Sequence, residues 1–281
     1  METGDPDDFL TLLLLLGHPQ VNLKAVTVTP GSPYQIGLVR QALAWFDVDL
    51  PVGAYNIEHP KVCVSDWHYE VYGDIPPSYN AEPGDEILKQ YCDENTTLIA
   101  GGPLKNLGKA LKSDGNFKLG RLVVQGGFAG EGVVPRELQL EKFKGMETCP
   151  SYNLNGDPKS ALAALSYPGI GVRRFVSKNV CHGVCYDRNM HEHFQLIKDN
   201  SLSLYYIWKG MGTYLKKNPL GKIFHDPLAA CCAIDESIGT WAEVEIYRSK
   251  GKWGARLFPG SNTWIITDCD REKFISTLTA Y

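Results

Sequence analysis

An α/β fold, with a mainly parallel sheet flanked by helices, is predicted by three observations. Short apolar runs rich in β-branched residues alternate with segments whose apolar positions recur at helical spacing. Glycine and proline mark the turns between them, as in Gly101-Gly102-Pro103 and Gly126-Gly127. Towards the end the helices stop and strand-like runs follow one another, which predicts a small antiparallel extension.

The elements follow in order. Residues 6–17 read as a helix, Lys24 to Thr29 as a buried strand, and 33–47 as a helix with Ile36, Val39, Leu43 and Phe46 on one face. Pro51 to Tyr55 is a short strand, 84–93 a helix, Thr96 to Ala100 a strand, 103–113 a helix, Leu122 to Val124 a strand and 157–166 a helix. This is a Rossmann-like order, in which ligands bind beyond the carboxyl ends of the strands. Helices near 190–199 and 201–217 precede the strand-like Trp241 to Tyr247, Trp253 to Leu257 and Thr263 to Thr267, and 270–279 reads as a closing helix. With 281 residues, 43% of them hydrophobic, and no evident linker, residues 1–281 are expected to form a single domain.

Composition narrows the function. A net charge of −4 supplies no basic field for nucleic acid, and the basic stretch from Lys209 to Lys222 reads as a solvated helix face. Leu12 to Leu16 is too short to span a bilayer, so no membrane association is expected and the protein is placed in the cytoplasm. The eight cysteines read as buried free thiols; Cys181 and Cys185 lack the second pair that a structural zinc site needs. His68, Tyr186, Tyr205, Tyr206 and Trp208 read as packing residues.

Chemistry-bearing residues gather at the predicted loops. Glu2, Asp5, Asp7 and Asp8 crowd the entrance to the first helix, where one acid would suffice as a cap and where hard oxygen donors also suit Ca²⁺ or Mg²⁺. Asp5-Pro6, Asp157-Pro158 and Asp226-Pro227 each look like an N-cap acid before a proline at the first helical position. Lys105-Asn106, Tyr152-Asn153 and His225-Asp226 lie in further loops that a parallel sheet would open on one edge.

The succession of motifs resembles the inosine-uridine-preferring nucleoside hydrolase family over nearly the whole chain. Glu2-Thr3-Gly4-Asp5-Pro6-Asp7-Asp8 is similar to that family's Asp-x-Asp-Pro-Gly-x-Asp-Asp loop, and Gly102-Pro103-Leu104-Lys105-Asn106 to its glycine-proline-leucine-threonine-asparagine turn. Ser151-Tyr152-Asn153 through Asp157-Pro158 resembles its Glu-Phe-Asn-x-x-x-Asp-Pro segment, and His225-Asp226-Pro227 its late His-Asp-Pro.

The resemblance implies hydrolysis of the N-glycosidic bond of ribonucleosides or related ribosides, a step in purine or pyrimidine salvage. It implies Ca²⁺ held by Glu2, Asp8, Asp226 and the backbone carbonyl of Lys105, with Asp7, Asn153 and Asp226 on the ribose hydroxyls. Water activated by the cation attacks the anomeric carbon through an oxocarbenium-like transition state, Glu2 or Asp7 accepting its proton and His225 protonating the departing base. The partner is thus a small nucleoside or riboside, and a homo-oligomer is compatible with the family.

Three positions depart from the pattern: Lys105 for threonine, Ser151 for a sugar-binding glutamate, and Gly31-Ser32 for Gly-Asn. A non-catalytic ribose or nucleotide binder that keeps the metal pocket is the alternative they leave. In the family a strand precedes the acidic loop, whereas Met1 alone precedes Glu2, so a strand upstream of this chain is expected.

Overall fold

The computed structural model describes all 281 residues, and two compact units emerge from it. The first comprises residues 1–91, 185–227 and 278–281, the second residues 92–184 and 228–277. The strands are β1 (Val26–Val28), β2 (Val52–Ala54), β3 (Glu82–Pro83), β4 (Thr97–Ala100), β5 (Leu119–Gln125), β6 (Thr148–Cys149), β7 (Ile170–Val176), β8 (Cys185–Tyr186), β9 (Lys222–Ile223), β10 (Gly239–Ser249), β11 (Lys252–Leu257) and β12 (Thr263–Cys269).

In the first unit β1, β2 and β3 form a parallel sheet in that order. Beside β1, on the flank away from β2, the main chain of Met1 continues the ladder for one residue: its nitrogen donates to Thr27 O at 2.8 Å and its carbonyl accepts from Thr29 N at 3.0 Å. The Pro6–Gly17 helix starts five residues later and buries Phe9, Leu10, Leu13 and Leu14. The Pro33–Trp45 helix begins with a full capping box, in which Ser32 and Gln35 exchange side-chain and backbone hydrogen bonds. That explains Ser32 where asparagine was expected: the position is an N-cap, and serine serves it equally well. Gly31 before it has φ +101°, and a Cβ there would meet the backbone nitrogens of Tyr55 and Asn56 at 2.9 Å.

The second unit is built on a seven-stranded sheet ordered β4-β5-β7-β12-β10-β11-β6. β4, β5, β7 and β12 run parallel, while β10, β11 and β6 continue the sheet antiparallel. The C-terminal strands are therefore joined in register to the parallel strands, with Ile265 of β12 opposite Phe175 of β7. Leu122, Val123, Val124, Phe175, Ile265 and Trp253 form its buried centre.

β7 lies where no strand was expected, because Arg173 and Arg174 interrupt its apolar run. Arg173 nevertheless lies buried, its guanidinium donating to the carbonyls of Ala164 and Tyr167 at the end of the Pro158–Ser166 helix. Arg174 packs over the rings of Trp241 and Trp264 and pairs with Glu236 at 3.0 Å. Planar guanidinium groups thus pass for apolar residues when carbonyls or indoles face them.

No helix is long and apolar enough to cross a membrane. All eight cysteines are free thiols, five buried and three half-buried.

Candidate active site

The acidic loop is fixed from beneath by Thr3, which is fully buried. Its hydroxyl donates to Cys63 O at 2.6 Å and accepts from Gln35 Nε2 at 3.0 Å, while Gln35 Oε1 accepts from Gly31 N at 2.8 Å. With Thr3 turned into the body, the loop carries its acids to the start of the Pro6–Gly17 helix.

There Asp7, Asp8 and Asp226 meet. Ligating carboxylate oxygens of all three lie within 4.8 Å of one another, and the residues are 1%, 6% and 6% exposed. Asp7 Oδ2 accepts from His225 N at 3.0 Å and Asp226 N at 3.2 Å, so it receives the leading N–H groups of the His225–Ile234 helix. Asp8 Oδ1 accepts from Glu2 N at 3.0 Å. Asp226 Oδ1 is buried and has no hydrogen-bond partner.

Burial above all, then Asp226 and Asp7, drives the Asp8 carboxyl well above the usual carboxylate range. Asp226 is driven the same way, by burial first and then by Asp7. Neighbouring carboxylates removed from water cannot all stay ionised without a compensating positive charge. One such charge is Lys222, whose Nζ lies 3.0 Å from Asp7 Oδ1 and 3.1 Å from Asp5 Oδ1. Burial works against its ammonium, but Asp7 and Asp5 outweigh burial and the net shift is upward.

A divalent cation fits the remainder. The donors are hard carboxylate oxygens, they converge, and the unpartnered Asp226 Oδ1 is a buried polar atom of the kind a ligand satisfies. Asp7, Asp8 and Asp226 thus form a buried three-carboxylate cluster that could hold a metal ion.

The other expected residues are distributed as follows. Glu2 lies near enough to Asp8 to raise its carboxyl further, after burial, Asp226 and Asp7, yet stands outside the trio. His225 opens its helix with a half-buried side chain. Lys105 and Asn153 belong to the second unit: Lys105 is the first residue of the Lys105–Ser113 helix, and buried Asn153 donates from Nδ2 to Gln125 O at 3.0 Å and Gln125 Oε1 at 2.8 Å. Ser151, where the family carries glutamate, is buried and its Oγ accepts from Gly127 N at 3.1 Å, bracing the glycine turn.

Three readings of the sequence are corrected. Asp5 makes no side-chain cap bond, its carboxylate being turned to Lys222. Asp226 lies inside its helix, where its own N–H is received by Asp7. Of the three Asp-Pro acids only Asp157 caps, accepting from Ser160 N at 3.1 Å. Lys222, read as part of a solvated helix face, is instead a buried residue of β9 paired opposite Tyr186.

Tyr214 of the Leu202–Lys217 helix was also passed over; burial raises its phenol, and Lys222, Asp5 and Asp7 are within electrostatic reach of it. Neither residue belongs to a local motif, so no spacing signals it. His68 and Tyr206 are packing groups as read: His68 is fully buried edge-on to Phe9, and Tyr206 stacks on Trp45 at 4.5 Å between ring centroids.

The fold is shared with solved nucleoside hydrolases. An inosine-uridine preferring enzyme from Bacillus anthracis superposes with a TM-score of 0.73 at 19% identity, covering 99% of this chain and 95% of its own. The plant nucleoside hydrolase PpNRh1 gives 0.72 at 19% identity, covering 97% of this chain and 94% of its own. These likenesses establish the fold.

The chain belongs to the inosine-uridine preferring nucleoside hydrolase family, whose model matches residues 2–276. Among its relatives, an uncharacterized protein of Aquifex aeolicus is 29% identical over 97% of this chain and 94% of that protein. Uridine nucleosidase 1 of Arabidopsis thaliana is 24% identical over 92% of this chain and 82% of its own length. A pyrimidine-specific ribonucleoside hydrolase of Shewanella is 31% identical over 45% of each chain. Membership makes the chain an enzyme acting on N-glycosyl bonds of nucleosides.

Proposed function

We propose that this protein hydrolyses ribonucleosides to ribose and free base in a Ca²⁺-dependent reaction. The observation that carries the proposal is the buried trio Asp7, Asp8 and Asp226 with one carboxylate oxygen left unpartnered. Asp8 and Asp226 would hold the cation, and the family pattern adds Glu2 and the carbonyl of Lys105. When bound, such an ion anchors adjacent hydroxyls and lowers the pKa of water.

The chain's own groups would do the rest. Asp7, held by Lys222 and by the N–H groups of His225 and Asp226, is rigid enough to orient a ribose hydroxyl. Glu2 or Asp7 would accept the proton of the attacking water. Ionised carboxylates near the sugar stabilise positive charge developing on its ring, and His225 would give a proton to the leaving base. Asn153 and Asp226 complete the sugar contacts on the strength of the family motif. The acidic pocket also favours an uncharged nucleoside over a nucleotide, since phosphate would meet like charge.

A panel of ribonucleosides, assayed for free ribose with Ca²⁺ and with chelator, tests the proposal. Release that needs Ca²⁺ and disappears in Asp8→Asn is expected. Ca²⁺ bound with no release from any nucleoside would refute it.

A further inference from the structure

Lys222 is a departure from chemistry that asks for negative charge. A lysine at the mouth of a sugar site invites a reading as an anion receptor, but its ammonium has no proton left for a ligand. Nζ meets Asp7 Oδ1 at 3.0 Å, Asp5 Oδ1 at 3.1 Å and Ile223 O at 3.0 Å, and an ammonium has three N–H bonds. The residue is 6% exposed, and the short β8–β9 ladder fixes its backbone, with Tyr186 opposite Lys222 and Cys185 opposite Ile223.

The grip on Asp7 is two-sided. Lys222 holds Oδ1, while the N–H groups of His225 and Asp226 hold Oδ2. One carboxylate is thereby suspended between an ammonium and a helix N-terminus, and neither oxygen can swing towards a cation without losing a charge-assisted hydrogen bond. Asp226, by contrast, keeps Oδ1 unpartnered.

We infer that Lys222 is a positioning residue: it clamps Asp7 for the sugar, keeps that carboxylate out of the cation's coordination shell, and confines the divalent ion to the Asp8–Asp226 side. This rests on the hydrolase reading above. The same positive charge opposes cation entry, so the native site binds its metal less tightly than its carboxylates alone would.

The experiment uses the full chain and Ca²⁺ as probe, comparing wild type with Lys222→Met, Lys222→Gln and Lys222→Arg. Calorimetric Ca²⁺ affinity at low ionic strength is measured beside kcat and KM on the best nucleoside of the panel. Lys222→Met is expected to bind Ca²⁺ about tenfold more tightly, because a nearby positive charge is gone. Its kcat should fall about a hundredfold with KM nearly unchanged, because Asp7 is no longer held in place. Lys222→Arg should recover most of that kcat and return Ca²⁺ affinity towards wild type.

A purely structural lysine would lower the melting temperature and leave Ca²⁺ affinity where it was. Should Lys222→Met not melt cooperatively, Lys222→Gln, which keeps N–H donors without charge, carries the comparison. Affinity and kcat within twofold of wild type in a cooperatively folded variant overturn the inference. Wild type that binds no Ca²⁺ ends both readings, whereas wild type that binds Ca²⁺ without releasing ribose ends hydrolysis alone and leaves the affinity comparison to decide.

Discussion

Asp157-Pro158 and Asp226-Pro227 are the same dipeptide in two places, and they do opposite things. Asp157 accepts from Ser160 N and, at 2.7 Å, from Ser160 Oγ, closing the first turn of the Pro158–Ser166 helix. Asp226 stands one turn-position later in its own helix, donates its N–H to Asp7, and leaves a carboxylate oxygen unpartnered beside two other acids. A cap is satisfied locally, within three residues. The Asp226 carboxylate keeps one buried oxygen that no neighbour satisfies.

The largest test of that contrast removes charge from each member. Asp226→Asn should lower kcat at least about a thousandfold, a loss of about 4 kcal/mol in transition-state stabilisation, while the metal-free protein melts no lower than wild type. Steady-state kinetics and a thermal melt with chelator read the two halves. An active Asp226→Asn would reduce Asp226 to the rank of Asp157.

A second unpartnered buried atom sharpens the comparison by pH. His68 Nε2 has no partner, and burial lowers the His68 imidazole from its ordinary value of 6.5 to about 4, while its hydrogen bond with Ser65 pulls the other way. With the folded value below the unfolded one, the native state resists protonation. Stability from this residue is complete above pH 6.5 and is lost as the pH falls from 6.5 towards 4, by about 3 kcal/mol in all. Denaturant melts across that range should show wild type losing about 3 kcal/mol relative to His68→Phe as the pH falls; parallel curves would show that His68 does not titrate on unfolding.

Calcium supplies the next test, since only the Asp226 region should answer to it. At a hundred times its dissociation constant, Ca²⁺ should stabilise the folded chain by about 2.7 kcal/mol, and the gain should vanish in Asp8→Asn. Differential scanning calorimetry with and without chelator measures it. The smallest effect belongs to the true cap: Asp157→Ala should cost about 1 kcal/mol by denaturant melt, with Ca²⁺ affinity unchanged.

Much of this molecule was legible because the signals are local. The Pro6–Gly17 helix, the β4 and β10 to β12 runs and the Asp7-Asp8 pair all announce themselves within a few residues. β7 did not, because what makes Arg173 and Arg174 fit a central strand is a set of distant partners: the carbonyls of Ala164 and Tyr167, the indoles of Trp241 and Trp264, and Glu236. The C-terminal strands were recognised as antiparallel, but a period-two pattern does not reveal that β12 would lie parallel against β7 and merge the two kinds of pairing into one sheet.

The site divides along the same line. Residue type and spacing determined that acids crowd the first helix, that Asp7, Asp8 and Asp226 are of the right chemistry for a hard cation, and that the chain resembles a nucleoside hydrolase. Only the tertiary structure decided which Asp-Pro acid caps and which keeps a buried oxygen unpartnered beside two other acids, and that Lys222 pairs with Asp5 and Asp7 across more than two hundred residues of sequence. The physical reason is range: capping and periodicity act within a helical turn, whereas burial and charge act through space on groups that the sequence keeps far apart.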